Sequence, residues 1–340
     1  MAENKKERLL EIKGLKKYFP LKDGKVVKAV DNVSLELYRG ETLGLVGESG
    51  SGKSTIAYVL VGMYEATDGD MIYKEVNIAK TGLHRTKTQK GEIQIVFQDP
   101  GSSLNAKRTV GQSLMVPIEI HSQLTKEQRI AKSKELLEEV GLPAEFFDKY
   151  PRTLGGGERQ LISVARALAT DPDLIILDEP TSALDVSIQA KVISKLIELQ
   201  KEKNLAYLFI THDLSLMRNV ADRVAILYLG RLCEQAPAAD FFEKPLHPYT
   251  QMLLSSIPVA TADEEEMKPV KILSEGEIPS PVNVPPGCAF HMRCRDRLPI
   301  CDKEQPCMKE VSPGHLVCCH LFDDMEDLGL KQSGTVEASI

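Results

Sequence analysis

The sequence predicts an α/β fold. It combines a mostly parallel sheet, an antiparallel β subdomain, an inserted helical subdomain and a small cysteine-rich C-terminal extension. Apolar strand patterns alternate with helical patterns before residue 99 and again after residue 173, which favours parallel strands with helices on both faces. The block between them, residues 99–170, is helical in pattern and forms the inserted subdomain. Six of the seven cysteines lie between Cys288 and Cys319, which marks the extension.

Each element has its own local signal. Residues 9–15 and 33–37 are apolar enough for strands, and Asp23-Gly24 is a turn signal between them. Thr125 and Gln128 form a capping-box pattern at the start of a helix covering 125–140. The other predicted elements are strands at 41–46, 92–97, 174–177, 206–210 and 223–228, and helices at 56–62, 161–169 and 186–201.

Composition excludes several functions. The chain has 340 residues, 42% of them hydrophobic, so it can bury a large core with an appendage. Its net charge of −7 gives no basic field for nucleic acid. No apolar run reaches the roughly 18 residues of a membrane span, and residues 1–8 lack the apolar core of a signal peptide. We therefore expect a cytoplasmic protein that reaches a membrane only through a partner.

A glycine-rich loop between the strand at 41–46 and the helix at 56–62 predicts a nucleoside triphosphate site. It fits the pattern G-x-x-x-x-G-K-[ST] in the required strand–loop–helix context. Its backbone N–H groups and the helix N-terminus form an anion cradle. Lys53 is predicted to reach the β- and γ-phosphates, and the Ser54 hydroxyl to bind Mg²⁺. The loop consists of Gly47, Glu48, Ser49, Gly50, Ser51, Gly52, Lys53, Ser54 and Thr55.

Two acidic residues follow the apolar strand at 174–177. Asp178 at the end of that strand is placed to hold Mg²⁺, usually through water. Glu179, one residue further, is placed to polarise the attacking water as a general base. We therefore predict that Glu179 is catalytic.

Four segments in order resemble the ATP-binding cassette (ABC) family: Leu154-Gly-Gly-Gly-Glu-Arg-Gln160, Asp173-Leu-Ile-Ile-Leu-Asp-Glu-Pro180, Ser182-Ala-Leu-Asp185 and Phe209-Ile-Thr-His-Asp213. The tail at 245–258, with its His-Pro-Tyr motif, resembles the C-terminal extension of dipeptide and oligopeptide importer ATPases. The resemblance implies a P-loop ABC ATPase cassette at 1–235, with its helical subdomain at about 99–170. It implies a transporter extension at 236–340.

The resemblance also implies roles for single residues. His212 is expected to sense the γ-phosphate and position water, so that it is catalytic together with Glu179. Gln98 is expected to reach Mg²⁺ and the nucleophilic water, and to relay contact with the membrane partner. Tyr18 matches the aromatic residue that stacks on adenine. Asp185 matches the residue that bridges two cassettes across a dimer.

The segment Gly155, Gly156, Gly157 and Glu158 resembles the signature loop that completes the ATP site of the opposite subunit. Two positions depart from the usual L-S-G-G-Q. Gly155 stands where a serine hydroxyl donates to the γ-phosphate, and Glu158 replaces a neutral glutamine. The backbone cradle is kept and the hydroxyl is lost, so one site of the dimer is predicted to be impaired in hydrolysis.

The clustered cysteines predict a metal site, because cytoplasmic proteins rarely keep structural disulfides. Cys288, Cys294 and Cys301 are spaced C-x5-C-x6-C, looser than zinc knuckles. An all-thiolate set suits an iron–sulfur cluster. The resemblance implies [4Fe–4S] with Cys319 as the fourth ligand, and has no cysteine at Cys307 or Cys318. Zinc with His291 or His320, and free thiols, remain as alternatives.

The predicted function is that of the ATP-hydrolysing subunit of a membrane importer for dipeptides or oligopeptides, driven by closure of a cassette dimer. The implied partners are a second ABC ATPase subunit, two integral membrane permease subunits and an extracytoplasmic peptide-binding protein. The expected location is the cytoplasmic face of the membrane. The alternatives are an importer for nickel, glutathione or oligosaccharides, and a soluble ABC ATPase acting on ribosomes or DNA.

Overall fold

A computed structural model describes residues 7–257, residue 272 and residues 276–328. Residues 1–6, part of the segment tested for a signal peptide, and Pro258, the last residue of the tail motif, lie outside this range. The described chain forms two compact units. The first contains the described residues of 1–15, 34–43 and 54–211, and the second those of 16–33, 44–53 and 212–340.

The strands agree with most of the sequence predictions and add several that were not predicted. They are β1 (Arg8–Pro20), β2 (Val26–Tyr38), β3 (Thr42–Val46), β4 (Asp68–Tyr73), β5 (Val76–Asn77), β6 (Ile93–Val96), β7 (Leu174–Asp178), β8 (Ala206–Thr211), β9 (Arg223–Tyr228), β10 (Arg231–Pro237), β11 (Met308–Ser312) and β12 (His315–Cys318). Those absent from the sequence prediction are β4, β5, β10, β11 and β12. None of the five has a long apolar run.

The helices are α1 (Lys53–Leu60), α2 (Lys87–Glu92), α3 (Pro100–Ser103), α4 (Val110–His121), α5 (Lys126–Glu139), α6 (Gly156–Leu168), α7 (Val186–Lys203), α8 (Leu214–Val220), α9 (Ala238–Glu243) and α10 (Pro248–Ser255). In the part of the chain that the structure describes, no helix has the length and apolar character needed to cross a membrane.

In the first unit, β6, β7 and β8 are parallel neighbours. Ile93 pairs with Leu174, and Leu174 pairs with Ala206. Every residue of β7 and β8 is buried, as expected for central strands covered on both faces. Parallel strands end at the same edge, so the residues after β6 and β7 are brought to one edge of the sheet.

Two smaller parts complete the first unit. The hairpin of β4 and β5 is antiparallel and belongs to a four-stranded sheet in the order β2-β1-β4-β5, which confirms the predicted antiparallel β subdomain. Helices α3 to α6 lie between β6 and β7 in the chain, which confirms the helical insertion. Thr125 caps α5 through the predicted box, with its backbone N–H donating to Gln128 Oε1 at 2.9 Å.

In the second unit, the cysteine-rich tail contributes strands to a sheet. β10 pairs with β9 on one side and with β12 on the other, and β11 pairs with β12; all these pairs are antiparallel. Glu234 of β10 lies opposite Val317 of β12. The pairing of β12 with β10 therefore attaches the tail to the rest of the unit by backbone hydrogen bonds. β10 contains residue 235, the predicted end of the cassette.

Candidate nucleotide site and cysteine-rich extension

The phosphate loop joins β3 to α1 in a conformation that requires glycine. Gly52 has φ +104°, and a Cβ there would lie 2.2 Å from the carbonyl oxygen of Ala29. A Cβ on Gly47 would lie 2.2 Å from the carbonyl oxygen of Leu227. Gly50 also has a positive φ, +78°. The loop therefore has its shape because three of its positions have no side chain.

Lys53 is buried, and its ammonium group points into this loop. It donates to the carbonyl oxygens of Gly47 at 2.7 Å and Glu48 at 3.0 Å, and to the Ser51 hydroxyl at 3.3 Å. A buried cation held by loop carbonyls is placed where the loop would surround a phosphate.

Ser54 and Asp178 are brought together in the first unit. The Ser54 hydroxyl donates to Asp178 Oδ1 at 3.1 Å, and Asp178 is 4% exposed. A hydroxyl and a carboxylate at this separation are hard oxygen ligands of the kind that Mg²⁺ prefers. The pair fits the predicted metal role.

Glu179 follows Asp178 in a left-handed backbone conformation, with φ +47°. Its N–H donates to the carbonyl oxygen of Ile210 at 2.9 Å, so the strained residue is held by β8. The amide nitrogen of Gln98 donates to Glu179 Oε2 at 2.8 Å and lies 3.4 Å from the Ser182 hydroxyl. The structure thus joins two residues that are 81 positions apart in the sequence.

Tyr18 belongs to the second unit, where its hydroxyl is held by a carboxylate. It donates to Asp31 Oδ1 at 2.5 Å, while Arg231 donates to Asp31 Oδ2 at 2.7 Å. Burial alone would raise the pKa of Asp31, but the hydrogen bonds from Tyr18 and Arg231 outweigh it and keep the pKa below its usual value. The charged Asp31 therefore fixes the direction of the ring. The Lys28 ammonium lies 5.9 Å from the ring centroid.

The signature-like segment opens α6 beside the start of α7. A Cβ on Gly157 would lie 2.3 Å from Ile188 Cγ2, and one on Gly156 would lie 3.0 Å from Leu184 Cδ2, so close packing explains both glycines. The Gly155 N–H donates to Glu158 Oε2 at 2.7 Å. Glu158 therefore caps its own helix with the carboxylate.

Asp185 and His212 are both exposed. Asp185 caps α7, accepting from Ser187 Oγ at 2.7 Å and from the Ile188 N–H at 3.0 Å, and these hydrogen bonds hold its pKa below the usual value. His212 follows β8 directly in the chain. In the first unit, the predicted residues therefore form the pairs Ser54–Asp178 and Gln98–Glu179. In the second, the Lys53 ammonium meets the loop, and Tyr18 is held by Asp31.

Two family models match the chain. Residues 30–182 match the model described as ABC transporter, and residues 233–301 match the C-terminal region of the oligopeptide/dipeptide transporter. The oligopeptide transport ATP-binding protein AppF of Bacillus subtilis (strain 168) is 47% identical over 329 residues, which cover 95% of this chain and 100% of AppF. The chain belongs to the ABC transporter family of ATP-binding proteins.

Other relatives agree with this membership. The dipeptide transport ATP-binding protein DppF of Escherichia coli (strain K12) is 44% identical, over 94% of this chain and 96% of DppF. Among solved structures, a dimeric post-hydrolysis state of the ATP-binding cassette MJ0796 bound to ADP and Pi has a TM-score of 0.62 and 26% identity. It matches 68% of this chain and 99% of that one. The fold prediction of an ABC ATPase cassette is therefore confirmed.

The cysteines of this ABC ATPase all lie in described segments, and none of them forms a disulfide. Cys318 donates its S–H to the carbonyl oxygen of Pro306 at 3.2 Å, and Cys307 is exposed. Within 7–257, 272 and 276–328, no group of three or more His, Cys, Asp or Glu residues is arranged to hold a metal ion. The side-chain positions therefore give no direct support for the predicted iron–sulfur ligand set.

The four predicted ligands nevertheless share one electrostatic environment. Burial, with smaller contributions from Cys288, Cys294 and Cys301, raises the pKa of Cys319 to about 12. Burial also raises the pKa of Cys294 to about 11, again with contributions from Cys288 and Cys301.

Backbone N–H groups point at these sulfurs. Leu298 N–H donates to Cys301 Sγ at 3.4 Å, and Cys288, Cys294 and Cys319 each interact with the backbone two residues further along the chain. His320 has both ring nitrogens engaged elsewhere, with Asp323 at 2.6 Å and the carbonyl oxygen of Glu304 at 2.9 Å.

Sequence reasoning missed several residues of the extension that contact the phosphate loop or support those contacts. Arg293 pairs with Glu48 of the loop, and the Tyr249 hydroxyl accepts from the Glu48 N–H. His315 of the extension has its Nε2 2.7 Å from Oε1 of Glu234, a fully buried residue at the end of the cassette. The sequence offers no periodic signal for these contacts, since the partners lie up to 245 residues apart.

Proposed function

We propose that this chain is the ATP-hydrolysing subunit of a membrane importer for dipeptides or oligopeptides, working at the cytoplasmic face of the membrane. The observation that carries the proposal is the match over nearly the whole length of AppF, together with the oligopeptide/dipeptide transporter region at residues 233–301. We assign residues 1–235 to the cassette, with its helical subdomain at about 99–170, and residues 236–340 to the extension.

Within the cassette, we assign ATP binding to Tyr18, Gly47, the residues 49–55 of the loop, and Gln98. The loop amides and Lys53 would surround the phosphates, and Tyr18, its hydroxyl fixed by Asp31, would present its ring to adenine. Mg²⁺ would be held by Ser54, Gln98 and Asp178. When bound, it neutralises charge that develops on the phosphates. The 3.1 Å contact between Ser54 and Asp178 supports this assignment.

We assign hydrolysis to Glu179 and His212. Glu179 would take the proton of the attacking water, and its carboxylate is already oriented by the Gln98 amide at 2.8 Å. Since Gln98 follows β6 and Glu179 follows β7, this contact couples the catalytic carboxylate to the start of the helical subdomain. His212 would sense the γ-phosphate after β8.

The working form would be a dimer with a second ABC ATPase subunit, assembled on two permease subunits and served by an extracytoplasmic peptide-binding protein. The exposure of both Gly155 and Asp185 supports the dimer, because a partner subunit could reach them. Val186, an apolar residue beside Asp185, is 83% exposed, which suits a surface that a partner covers. The signature segment Gly155–Glu158 would then face the partner's ATP.

The extension would hold a [4Fe–4S] cluster through Cys288, Cys294, Cys301 and Cys319. Two observations support this: the four cysteines recur within one short segment of the extension, and the Leu298 N–H donates to Cys301 Sγ at 3.4 Å. Cluster binding would draw the thiols into ligating geometry, and it would deprotonate them. Its role would be to stabilise the extension. A zinc site or free thiols are the alternatives.

Transport of nickel, glutathione or oligosaccharides by the same machine is the main alternative, because the binding protein and permeases select the solute. Reconstitution of the subunit with its co-purifying membrane proteins and binding protein in liposomes tests the choice. Peptide-loaded binding protein should stimulate ATP hydrolysis, and Lys53→Ala should abolish both hydrolysis and uptake. Stimulation by one of the other solutes, with none by peptide, would reject the peptide assignment.

A further inference from the structure

The C-terminal extension contacts the phosphate loop through a two-pronged ion pair. Arg293 Nη1 lies 2.8 Å from Glu48 Oε2, and Nη2 lies 3.1 Å from Glu48 Oε1. The Arg293 side chain is 9% exposed and that of Glu48 is 23% exposed, so water screens this pair less than it screens a surface pair. Paired, parallel hydrogen bonds of this kind fix geometry as well as charge.

A second contact from the extension reaches the backbone of the same residue. The Glu48 N–H donates to the Tyr249 hydroxyl at 3.1 Å. Tyr249 is fully buried in α10, and its ring lies 4.8 Å from that of Tyr228 and 5.1 Å from that of Phe290. The Arg293 guanidinium lies over Tyr228 and Phe290, at 5.8 and 5.7 Å. Arg293 and Tyr249 are therefore positioned by one aromatic cluster.

Each polar group of Glu48 has a hydrogen-bond partner in this arrangement. Its side chain is held by Arg293, its N–H by Tyr249, and its carbonyl oxygen by the Lys53 ammonium at 3.0 Å. Glu48 lies between Gly47 and Ser49, at the turn where the loop leaves β3. Fixing this residue restricts the loop next to Gly47, whose backbone has wide conformational freedom in the unfolded chain.

The charge of Glu48 gives the pair a second consequence. A carboxylate in a loop that binds a polyanion repels it, and the repulsion is strong where water is partly excluded. Arg293 compensates this charge from outside the loop. Without Arg293, Glu48 would remain a negative group beside the phosphates.

The extension also reaches the residues that hold Tyr18. Arg231 donates to Gln305 of the extension and to Asp31, which accepts from the Tyr18 hydroxyl. The segment from Cys288 to Cys319 therefore touches both the phosphate loop and the support of the adenine-stacking residue.

We infer that Arg293 and Tyr249 are positioning residues that hold the phosphate loop in its ATP-binding conformation, so that the extension sets this subunit's affinity for ATP. This inference rests on the proposed ATP-binding role of residues 47–55. It predicts that substitutions which remove the contacts of Arg293 or Tyr249 with Glu48 weaken ATP binding by this subunit.

The test measures equilibrium binding of MgATP to the full-length subunit, with melting temperature and iron content determined on the same samples. Arg293→Met should weaken binding by about tenfold, the size expected for one charge-assisted bidentate contact. Arg293→Lys keeps the charge but loses the forked hydrogen bonds, so its affinity for MgATP should lie between those of the wild type and Arg293→Met. Arg295→Met is the matched control, because Arg295 is 52% exposed and pairs with Asp296; it should bind ATP within twofold of wild type.

A double-mutant cycle identifies the mechanism. Glu48→Gln should weaken binding less than Arg293→Met, because it loses the forked ion pair but leaves no uncompensated carboxylate. Glu48→Gln with Arg293→Met should bind ATP no more weakly than Arg293→Met alone, because both side chains act through one contact. Tyr249→Phe removes only the hydroxyl that accepts from Glu48, and should weaken binding several-fold even if Arg293→Met fails to fold.

Three results would overturn the inference: wild-type affinity in both Arg293→Met and Tyr249→Phe, an equal loss in Arg295→Met, or an additive loss in the double variant. Lys53→Ala distinguishes failure of the proposed ATP site from failure of this inference alone. If Lys53→Ala binds ATP normally, the ATP-binding assignment of the loop itself is wrong; if only the extension variants are normal, the inference fails alone.

Discussion

The amide nitrogen of Gln98 donates to Glu179 Oε2 at 2.8 Å, and this contact joins the ends of two parallel strands. Gln98 follows β6 by two residues and begins the route into the helical subdomain, while Glu179 follows β7 directly. Movement of the segment after β6 would therefore change the orientation of the proposed general base.

The first prediction concerns Glu179→Gln. The amide removes the proton acceptor, so ATP hydrolysis by the assembled transporter should fall by about 10²–10⁴-fold, whereas ATP binding should remain. The closed dimer should accumulate with ATP bound, as measured by size-exclusion chromatography with nucleotide quantification.

Lys53→Ala is the contrasting variant, since it should weaken ATP binding itself. Normal turnover in Glu179→Gln, in an assembly whose active site is built on this chain, would exclude Glu179 as the base. Gln98→Ala should reduce hydrolysis less than Glu179→Gln does, because it removes only the contact that orients the carboxylate.

The second prediction concerns the cysteines. Purified without oxygen, the protein should be brown, absorb broadly in the visible range, and contain iron and sulfide. Cys288→Ser should remove the colour. Cys307→Ser should keep it because Cys307 is exposed, and Cys318→Ser should keep it because the Cys318 thiol donates to the carbonyl oxygen of Pro306. Elemental analysis measures the iron and sulfide content, and visible absorbance measures the colour, of the wild type and of each variant.

A colourless protein with stoichiometric zinc would decide for a Cys/His site instead. In that case His291→Ala should remove the zinc, since His291 has one ring nitrogen directed at the carbonyl oxygen of Cys288 and lies within the cysteine segment. Loss of iron in Cys318→Ser would show that the fourth ligand was assigned to the wrong one of two adjacent cysteines.

The sequence predicted those strands and helices whose own residues carry a local signal, such as an apolar run or a capping pattern. Residues 174–177 form an unbroken apolar run and lie in β7, because a strand covered on both faces has no polar position. The start of α5 was predicted because its capping box is a local interaction between residues three apart.

The missed elements depend on distant parts of the chain. β12 has the sequence His315-Leu-Val-Cys318, too short to give a clear signal, and it forms because β10 offers an unpaired edge. In the same way, the ion pair between Arg293 and Glu48 links residues 245 positions apart, and neither carries a local pattern that identifies the other.

The third prediction concerns pH. Burial lowers the pKa of His247 to about 4, although the charge of Glu234 partly opposes this. The imidazole ring is neutral when folded, and its Nδ1 accepts from the Tyr249 backbone N–H at 3.0 Å. The backbone N–H of His247 donates to Glu234 Oε2 at 2.9 Å. Its unfolded pKa is about 6.5. The contribution of His247 to the free energy of unfolding is therefore fully present above pH 6.5. It is lost as the pH falls toward 4, because in this range only the unfolded chain takes up the proton.

The loss should approach about 1.4 kcal/mol per pH unit within that window, and about 3 kcal/mol in all. His247→Asn keeps an acceptor for the Tyr249 N–H and does not titrate, so its unfolding free energy should fall less between pH 6.5 and 4. Denaturant titrations at several pH values measure the difference. His84→Asn, at an exposed histidine, should follow the wild type; a parallel fall in His247→Asn would show that His247 does not cause the pH dependence.

The fourth prediction is an asymmetry between the two ATP sites of the heterodimer. In the proposed assembly, Lys53, Glu179 and His212 work with the partner's signature loop, while Gly155 and Glu158 face the partner's ATP. Gly155 supplies no hydroxyl, and its N–H is already engaged by Glu158 Oε2 at 2.7 Å. Losing one preorganised donor to the developing phosphate charge typically slows hydrolysis by ~10²–10³, about 3–4 kcal/mol. The Glu158 carboxylate adds repulsion at the same place.

Restoring the loop tests this asymmetry directly. Gly155 has φ −67°, which serine adopts freely, and a Cβ there would meet Glu158 Oε2 at 3.5 Å, an ordinary contact. Gly155→Ser with Glu158→Gln should therefore fold and raise the ATPase rate of the assembly. If the partner's loop retains its serine, Glu179→Gln in this chain should abolish hydrolysis, and the matching change in the partner should be milder. Equal losses from both glutamate changes, with no gain from the restored loop, would mean that Gly155 and Glu158 already support hydrolysis, because the backbone cradle of α6 alone would then be sufficient.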